Sequence, residues 1–159
     1  MEIESLADAL EREHHEIDEG IEAFAAGSAA RVRDRAPLRA AITGLRRHIY
    51  LEEEFLFPLL REAGLMAPIF VMLREHGQIW DTLDTLESDV TTEDDVLMLC
   101  HQLAVQLQHH NLKEERIVYP QADETLPMQE RARLRELLAA SELPDGWACQ
   151  RAGTGDGRR

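Results

Sequence analysis

The sequence predicts an all-α protein, an up-down-up-down four-helix bundle. Three observations predict it. Four long segments carry apolar residues at steps of three and four, with short links between them. No stretch of any length alternates apolar and polar residues as a strand does. Leu, Ala, Glu and Arg dominate, while helix breakers are sparse, with six prolines and nine glycines in 159 residues.

The first helix is expected from about Ile3 to Ala26. Its apolar positions Ile3, Leu6, Leu10, His14, Ile17, Ile21 and Phe24 fall on one face, and Gly27-Ser28 ends it. The second starts near Pro37, a residue suited to a first helical turn, and runs through Leu45, His48 and Phe55 to about Glu62. Gly64 is its expected cap. Pro58 lies inside this helix, where it should kink or loosen the C-terminal end. The third helix spans about Pro68 to Ser88. The fourth follows Thr91-Thr92-Glu93-Asp94-Asp95, a start signal with acids in the first turn, and is punctuated by Pro120 after Tyr119. The bundle therefore occupies residues 1–125. Residues 126–159 are expected to hold a short fifth helix, Gln129 to Ala140, and a flexible tail from Ser141.

A chain of this length fits one domain with one core. The net charge of −14 argues against nucleic acid as a partner, because phosphate binding needs a basic patch. It argues equally against an anionic membrane surface. No apolar run approaches the ~20 residues of a membrane span. The acidic, amphipathic N-terminal stretch does not read as a signal peptide. The two cysteines, Cys100 and Cys149, form neither a metal-type pair nor a disulfide framework, so a reducing cytoplasm is the expected location.

An internal repeat carries the chemistry. The segment RRHIYLEEEFLFP (Arg46 to Pro58) resembles QHHNLKEERIVYP (Gln108 to Pro120), and EREHHEI (Glu11 to Ile17) resembles LREHGQI (Leu73 to Ile79) at the same offset. Each half thus carries one histidine and, 34 residues later, a His-x-x-x-Glu: His14 with His48 and Glu52, then His76 with His110 and Glu114. Residues four apart share one helix face, so each His-Glu pair can point into the bundle. His14 and His76 take the place of core residues on their apolar stripes. A lone His-x-x-x-Glu is usually a solvated surface pair; two copies, each matched to a further histidine, point instead to metal. Buried carboxylates are costly unless a cation compensates them. Imidazole with carboxylate suits first-row transition metals such as iron, and six ligands exceed what one structural zinc takes. Two metals ~3.5–4 Å apart, bridged by both glutamates and a solvent oxygen, would use all six.

The other histidines read as peripheral: His15 and His109 are turned about 100° from their neighbours, and His101 lies on the face away from His110. Glu53, Glu54 and Glu115 are expected to be solvated or to support the histidine rings. Phe55, Phe57, Met72, Trp80, Ile117 and Tyr119 read as core packing.

The order His…HxxxE…His…HxxxE, with a proline ten residues past each HxxxE histidine, resembles the hemerythrin-like HHE cation-binding domain from about Leu6 to Pro120. That resemblance implies a four-helix bundle around two iron ions, oxo- or hydroxo-bridged, held by His14, His48, Glu52, His76, His110 and Glu114. Manganese or a mixed pair is the alternative filling. Oxygen-carrying relatives have His-x-x-x-His in the third helix, whereas the position four before His76 is Met72 here. The four-histidine variant implies an open coordination position and chemistry on a small ligand: hydrogen peroxide, nitric oxide or dioxygen. The expected function is catalase-like peroxide decomposition or nitric oxide handling in stress response, with a redox partner the sequence does not identify. The alternative is an oxygen or iron sensor or carrier module that binds without turnover.

Overall fold

The structure is a computed structural model and describes residues 3–27, 34–88 and 92–153. Ser28, Thr91 and residues 154–159, which enter the sequence expectations, lie outside the described residues. The fold is all-α, with no strand among the described residues. The helices are α1 (Leu6–Ala25), α2 (Ala36–Leu51), α3 (Phe57–Glu62), α4 (Ala67–Leu86), α5 (Glu93–Lys113), α6 (Tyr119–Thr125) and α7 (Met128–Ala140). Short π-helical segments, Glu52–Leu56 and Glu114–Val118, join α2 to α3 and α5 to α6. Four rods result: α1, α2–α3, α4 and α5–α6.

Local sequence sets the ends. Ser5 caps α1, its Oγ accepting from the Asp8 N–H at 3.0 Å, and Thr92 caps α5 by accepting from the Asp95 N–H at 3.2 Å. The helix therefore starts after Ile3, which is exposed instead of continuing the apolar face. Pro37 and Pro68 sit in first turns, as their missing N–H allows. Gly64 takes a φ of 100° just past α3, a backbone angle that glycine adopts without steric cost.

Pro58 and Pro120 do not end or break their rods. Each follows a π segment whose closing bond runs five residues back, from the Phe57 N–H to the Glu52 carbonyl and from the Tyr119 N–H to the Glu114 carbonyl. The wider turn places each proline in the first turn of the next α segment, so the α5–α6 rod continues to Thr125 rather than stopping at Tyr119.

Two apolar clusters fill the bundle. One contains Ile17, Phe24, Leu45, Trp80, Leu83 and Leu103, the other Leu10, Leu56, Phe57, Met72, Val118 and Tyr119. His14, His48, Glu52, His76, His110 and Glu114 are all buried too, on the same rods at positions between those two clusters. The helix α7 lies across α1 and α2, with Leu134 and Leu138 buried beneath it. The Arg47 guanidinium donates to the carbonyls of Leu137, Leu138 and Ser141 at its C-terminal end.

The segment after α7 departs from the flexible tail expected from Ser141. Residues 141–153 form a strap against α2 and α4, with Cys149 buried and Trp147 and Ala152 packed on the core. Trp147 sets its ring edge-on to Tyr50 at 5.2 Å and to Trp80 at 5.4 Å. Arg151 lies over the Phe70 ring at 4.9 Å. A few aromatic contacts thus anchor a segment whose composition reads as loop.

Candidate metal centre

The side chains that the repeat singles out meet at one place. His14 comes from α1, His48 from α2, His76 from α4 and His110 from α5, while Glu52 and Glu114 open the two π segments. None is more than 4% exposed, and Glu52, His76 and Glu114 are fully buried. The ring Nε2 atoms face the carboxylates: His14 lies 3.1 Å and His110 3.3 Å from Glu114 Oε1, while His76 lies 3.1 Å from Glu52 Oε1 and His48 3.5 Å from Glu52 Oε2. Donor atoms of Glu52, His76, His110 and Glu114 lie within 4.8 Å of one another, and so do those of His14, His48 and Glu114. Two three- or four-donor pockets therefore share Glu114.

The opposite ring nitrogens are held as tightly. His14 Nδ1 meets Glu115 at 2.9 Å, His48 meets Glu13 at 2.9 Å, His76 meets Glu53 at 2.7 Å, and His110 meets Glu75 at 2.9 Å. A carboxylate on Nδ1 fixes the ring and leaves Nε2 as the inward donor. Glu53 and Glu115 fill the supporting role expected of them; Glu13 and Glu75 do so without having been expected. Their signal was present, since each immediately precedes a repeated histidine in the Glu-His of EREHHEI and LREHGQI. Glu13 is held in turn by Arg47 at 3.0 Å, and Glu75 by Lys113. Glu54 lies further out, accepting from the Trp147 indole at 2.9 Å.

Tyr119 belongs to the cluster, which corrects its assignment to packing alone. Its hydroxyl donates to Glu52 Oε2 at 2.8 Å or Glu114 Oε1 at 3.0 Å and lies 2.9 Å from His14 Nε2 and 3.1 Å from His48 Nε2. Its counterpart in the other half, Phe57, stacks on the His76 ring at 5.4 Å. Met72, at the position of the absent fifth histidine, is buried in the apolar cluster. His15, His101 and His109 are exposed, as expected.

The electrostatics couple the buried imidazoles to the buried carboxylates. Burial alone would depress the imidazoles, yet Glu52 and Glu13 raise His48 well above its usual value. Against the same burial, Glu114 and Glu75 raise His110 to about 10. Burial pushes Glu114 up, but His110 and the other hydrogen-bonding neighbours bring it well below the carboxylate range. Burial and the Glu114 and Glu52 charges push the Tyr119 phenol up, so it is neutral here and acts as a donor. These imidazoles and carboxylates thus favour one another's charged forms. One buried ligand atom stays unsatisfied: Glu114 Oε2 has no hydrogen-bond partner. An orphaned carboxylate oxygen among inward Nε2 atoms fits a cation, and the donor set of imidazole and carboxylate fits a transition metal.

A helical bundle with a buried histidine–glutamate cluster able to bind metal defines the class of protein. The chain belongs to the hemerythrin family: the Hemerythrin HHE cation binding domain matches residues 5–122. No curated protein and no solved structure matches the chain closely enough to extend that assignment.

Proposed function

We propose that the chain holds two iron ions and reacts with a small ligand such as hydrogen peroxide, nitric oxide or dioxygen. The observation that carries this reading is the convergence of four Nε2 atoms and two carboxylates, every Nδ1 held by an acid, around the unpartnered Glu114 Oε2. His14 and His48 would hold one ion, His76 and His110 the other, and Glu52 and Glu114 would bridge them. When bound, the iron pair would supply one- and two-electron redox chemistry at an exchangeable position.

The chain's own groups do the rest. Glu13, Glu53, Glu75 and Glu115 orient the imidazoles. The apolar clusters on either side keep bulk water out. Tyr119 offers a hydroxyl proton, or an oxygen donor, beside the His14–His48 pair. Met72 offers no imidazole on the His76–His110 side, so an ion held there would lack the ligand that a fifth histidine supplies. Peroxide decomposition of the catalase type is the favoured activity and nitric oxide handling the second. The two cysteines, both unpaired and buried, are compatible with a reducing cytoplasm. No described helix is long and apolar enough to cross a membrane.

The test is to load the protein with iron, add hydrogen peroxide and follow oxygen release. Sustained release that is lost in His110→Ala supports the enzyme reading. A stable spectral change without turnover would overturn it in favour of a sensor or carrier.

A further inference from the structure

The two halves of the repeat are offset by 62 residues, so His14 corresponds to His76 and Glu115 to Glu53. Each half presents a cleft toward its supporting carboxylate, and the two clefts differ. On the α2/α4 side the strap fills it. The Gln150 N–H donates to Glu53 Oε1 at 2.8 Å, the Gly153 N–H to Asp81 at 3.1 Å, and Trp147 covers Tyr50 and Trp80. A Cβ on Gly77 would lie 2.7 Å from Arg151, so the absence of a side chain there is what lets the strap seat. Under it, the Glu53 side chain is 4% exposed and His76 is fully covered.

On the α1/α5 side the equivalent positions are His15 for Gly77, Asp18 for Trp80, Leu112 for Tyr50 and Glu115 for Glu53. His15 and Leu112 are exposed there, and Asp18 and Glu115 are half-buried. They line a cleft of 470 Å³ whose inner wall includes His14 itself, and the Glu115 side chain is 32% exposed. Among the described residues, one face is thus filled by the strap and the other carries a cleft that reaches the edge of His14.

We propose that the α1/α5 cleft is the way in to the metal centre, and that the strap makes the centre one-sided by filling the matching cleft. This rests on the metal-centre reading above. The cleft also selects by charge. Asp18, Glu22 and Glu115 line it on a chain of net charge −14, so an anion is repelled where an uncharged hydrogen-bonding ligand is not. Its natural ligand is therefore small and uncharged, of the class of hydrogen peroxide or nitric oxide, rather than an anion such as superoxide.

The test uses the full chain loaded with ferric iron, with azide as an anionic probe followed by its absorption change in rapid mixing. Ala104 and Gln108 are exposed on the cleft wall and neither is a candidate ligand, so Ala104→Trp and Gln108→Trp should fold and hold iron as the parent does. Each should slow azide binding about tenfold or more, with the final spectrum unchanged. Adding Trp147→Ala to Ala104→Trp opens the strapped face and should bring the rate back to within about twofold of the parent. Asp18→Asn should speed azide, yet leave the rate of nitric oxide binding to the ferrous protein unchanged. An unchanged azide rate in both tryptophan variants, or a rate raised by Trp147→Ala alone to well above the parent's, would overturn the entrance. No response of azide to Asp18→Asn would overturn the charge selection. A parent protein without iron would overturn the entrance and the metal reading together; two irons with unmoved rates would overturn the entrance alone. As a readout independent of loaded iron, zinc uptake by the metal-free protein should slow in the same two variants.

Discussion

The two halves of the bundle share a plan and differ in finish. Both supply a histidine, then a His-x-x-x-Glu that ends in a π turn, then a proline; both hold every histidine by a carboxylate from a neighbouring rod. One half then closes with Tyr119 and the other with Phe57, and among the described residues one outer face is strapped while the other carries a cleft. Ligand geometry depends on the shared plan. On the proposed reading, access and reactivity would depend on the differences, because these set which histidine pair has the Tyr119 hydroxyl beside it and which side carries the cleft.

The largest expected effect breaks the shared plan. His48→Ala and His110→Ala remove one imidazole from each half, and each should reduce bound metal from two ions per chain to about one or none, read by elemental analysis. Equal loss from both would confirm that the halves contribute alike; full retention in either would show that its histidine is not a ligand.

The next effect weakens the support rather than the ligand. Glu13→Gln and Glu75→Gln occupy equivalent places, behind His48 and His110. Each should lower metal affinity about 10–100-fold in a competition titration. A difference beyond that range between the two would show that Arg47 and Lys113 do not serve them equivalently.

Tyr119→Phe makes the two halves alike by erasing the hydroxyl. Metal content should stay at two ions per chain while the visible spectrum of the ferric protein and its peroxide reactivity change. The reverse exchange, Phe57→Tyr, should add a hydroxyl near His76 and perturb the spectrum in its own way. An unchanged spectrum in Tyr119→Phe would confine this residue to a hydrogen-bonding role.

The smallest effect concerns the strap. Gly77→Ala should displace it, since no room exists for a methyl beside Arg151. Loss of strap contacts is offset by the gain of about 1 kcal/mol that alanine brings to a helix interior, so the net stability change in a urea titration should be small. Trp147 emission should nevertheless shift toward that of an exposed indole. Unshifted emission would mean that the strap tolerates the methyl.

Much of this was legible in the sequence, and for a physical reason. Helical periodicity and a repeated His-x-x-x-Glu both depend on local spacing, so the rods and the six candidate ligands could be placed before any coordinates. The π turns could not. They depend on a proline six residues past a glutamate that must also face inward, and one-dimensional spacing reads that proline as a break. Glu13 and Glu75 reach across to neighbouring rods, so their role depends on rod packing, although the repeated Glu-His pairs marked them. Tyr119 looked like Phe57's equivalent in a core pattern, because spacing locates a ring without saying what its hydroxyl meets. The strap escaped because its anchors, Trp147 and Arg151, sit among turn residues and act through contacts far away in sequence, with Tyr50, Glu54, Phe70 and Trp80.

Anomalous diffraction from crystals of the iron-loaded protein should show two iron peaks per chain, one contacting His14 and His48, the other His76 and His110, with Glu114 touching both. A single peak, or peaks that leave any of these four histidines without a metal, would contradict the two-iron reading.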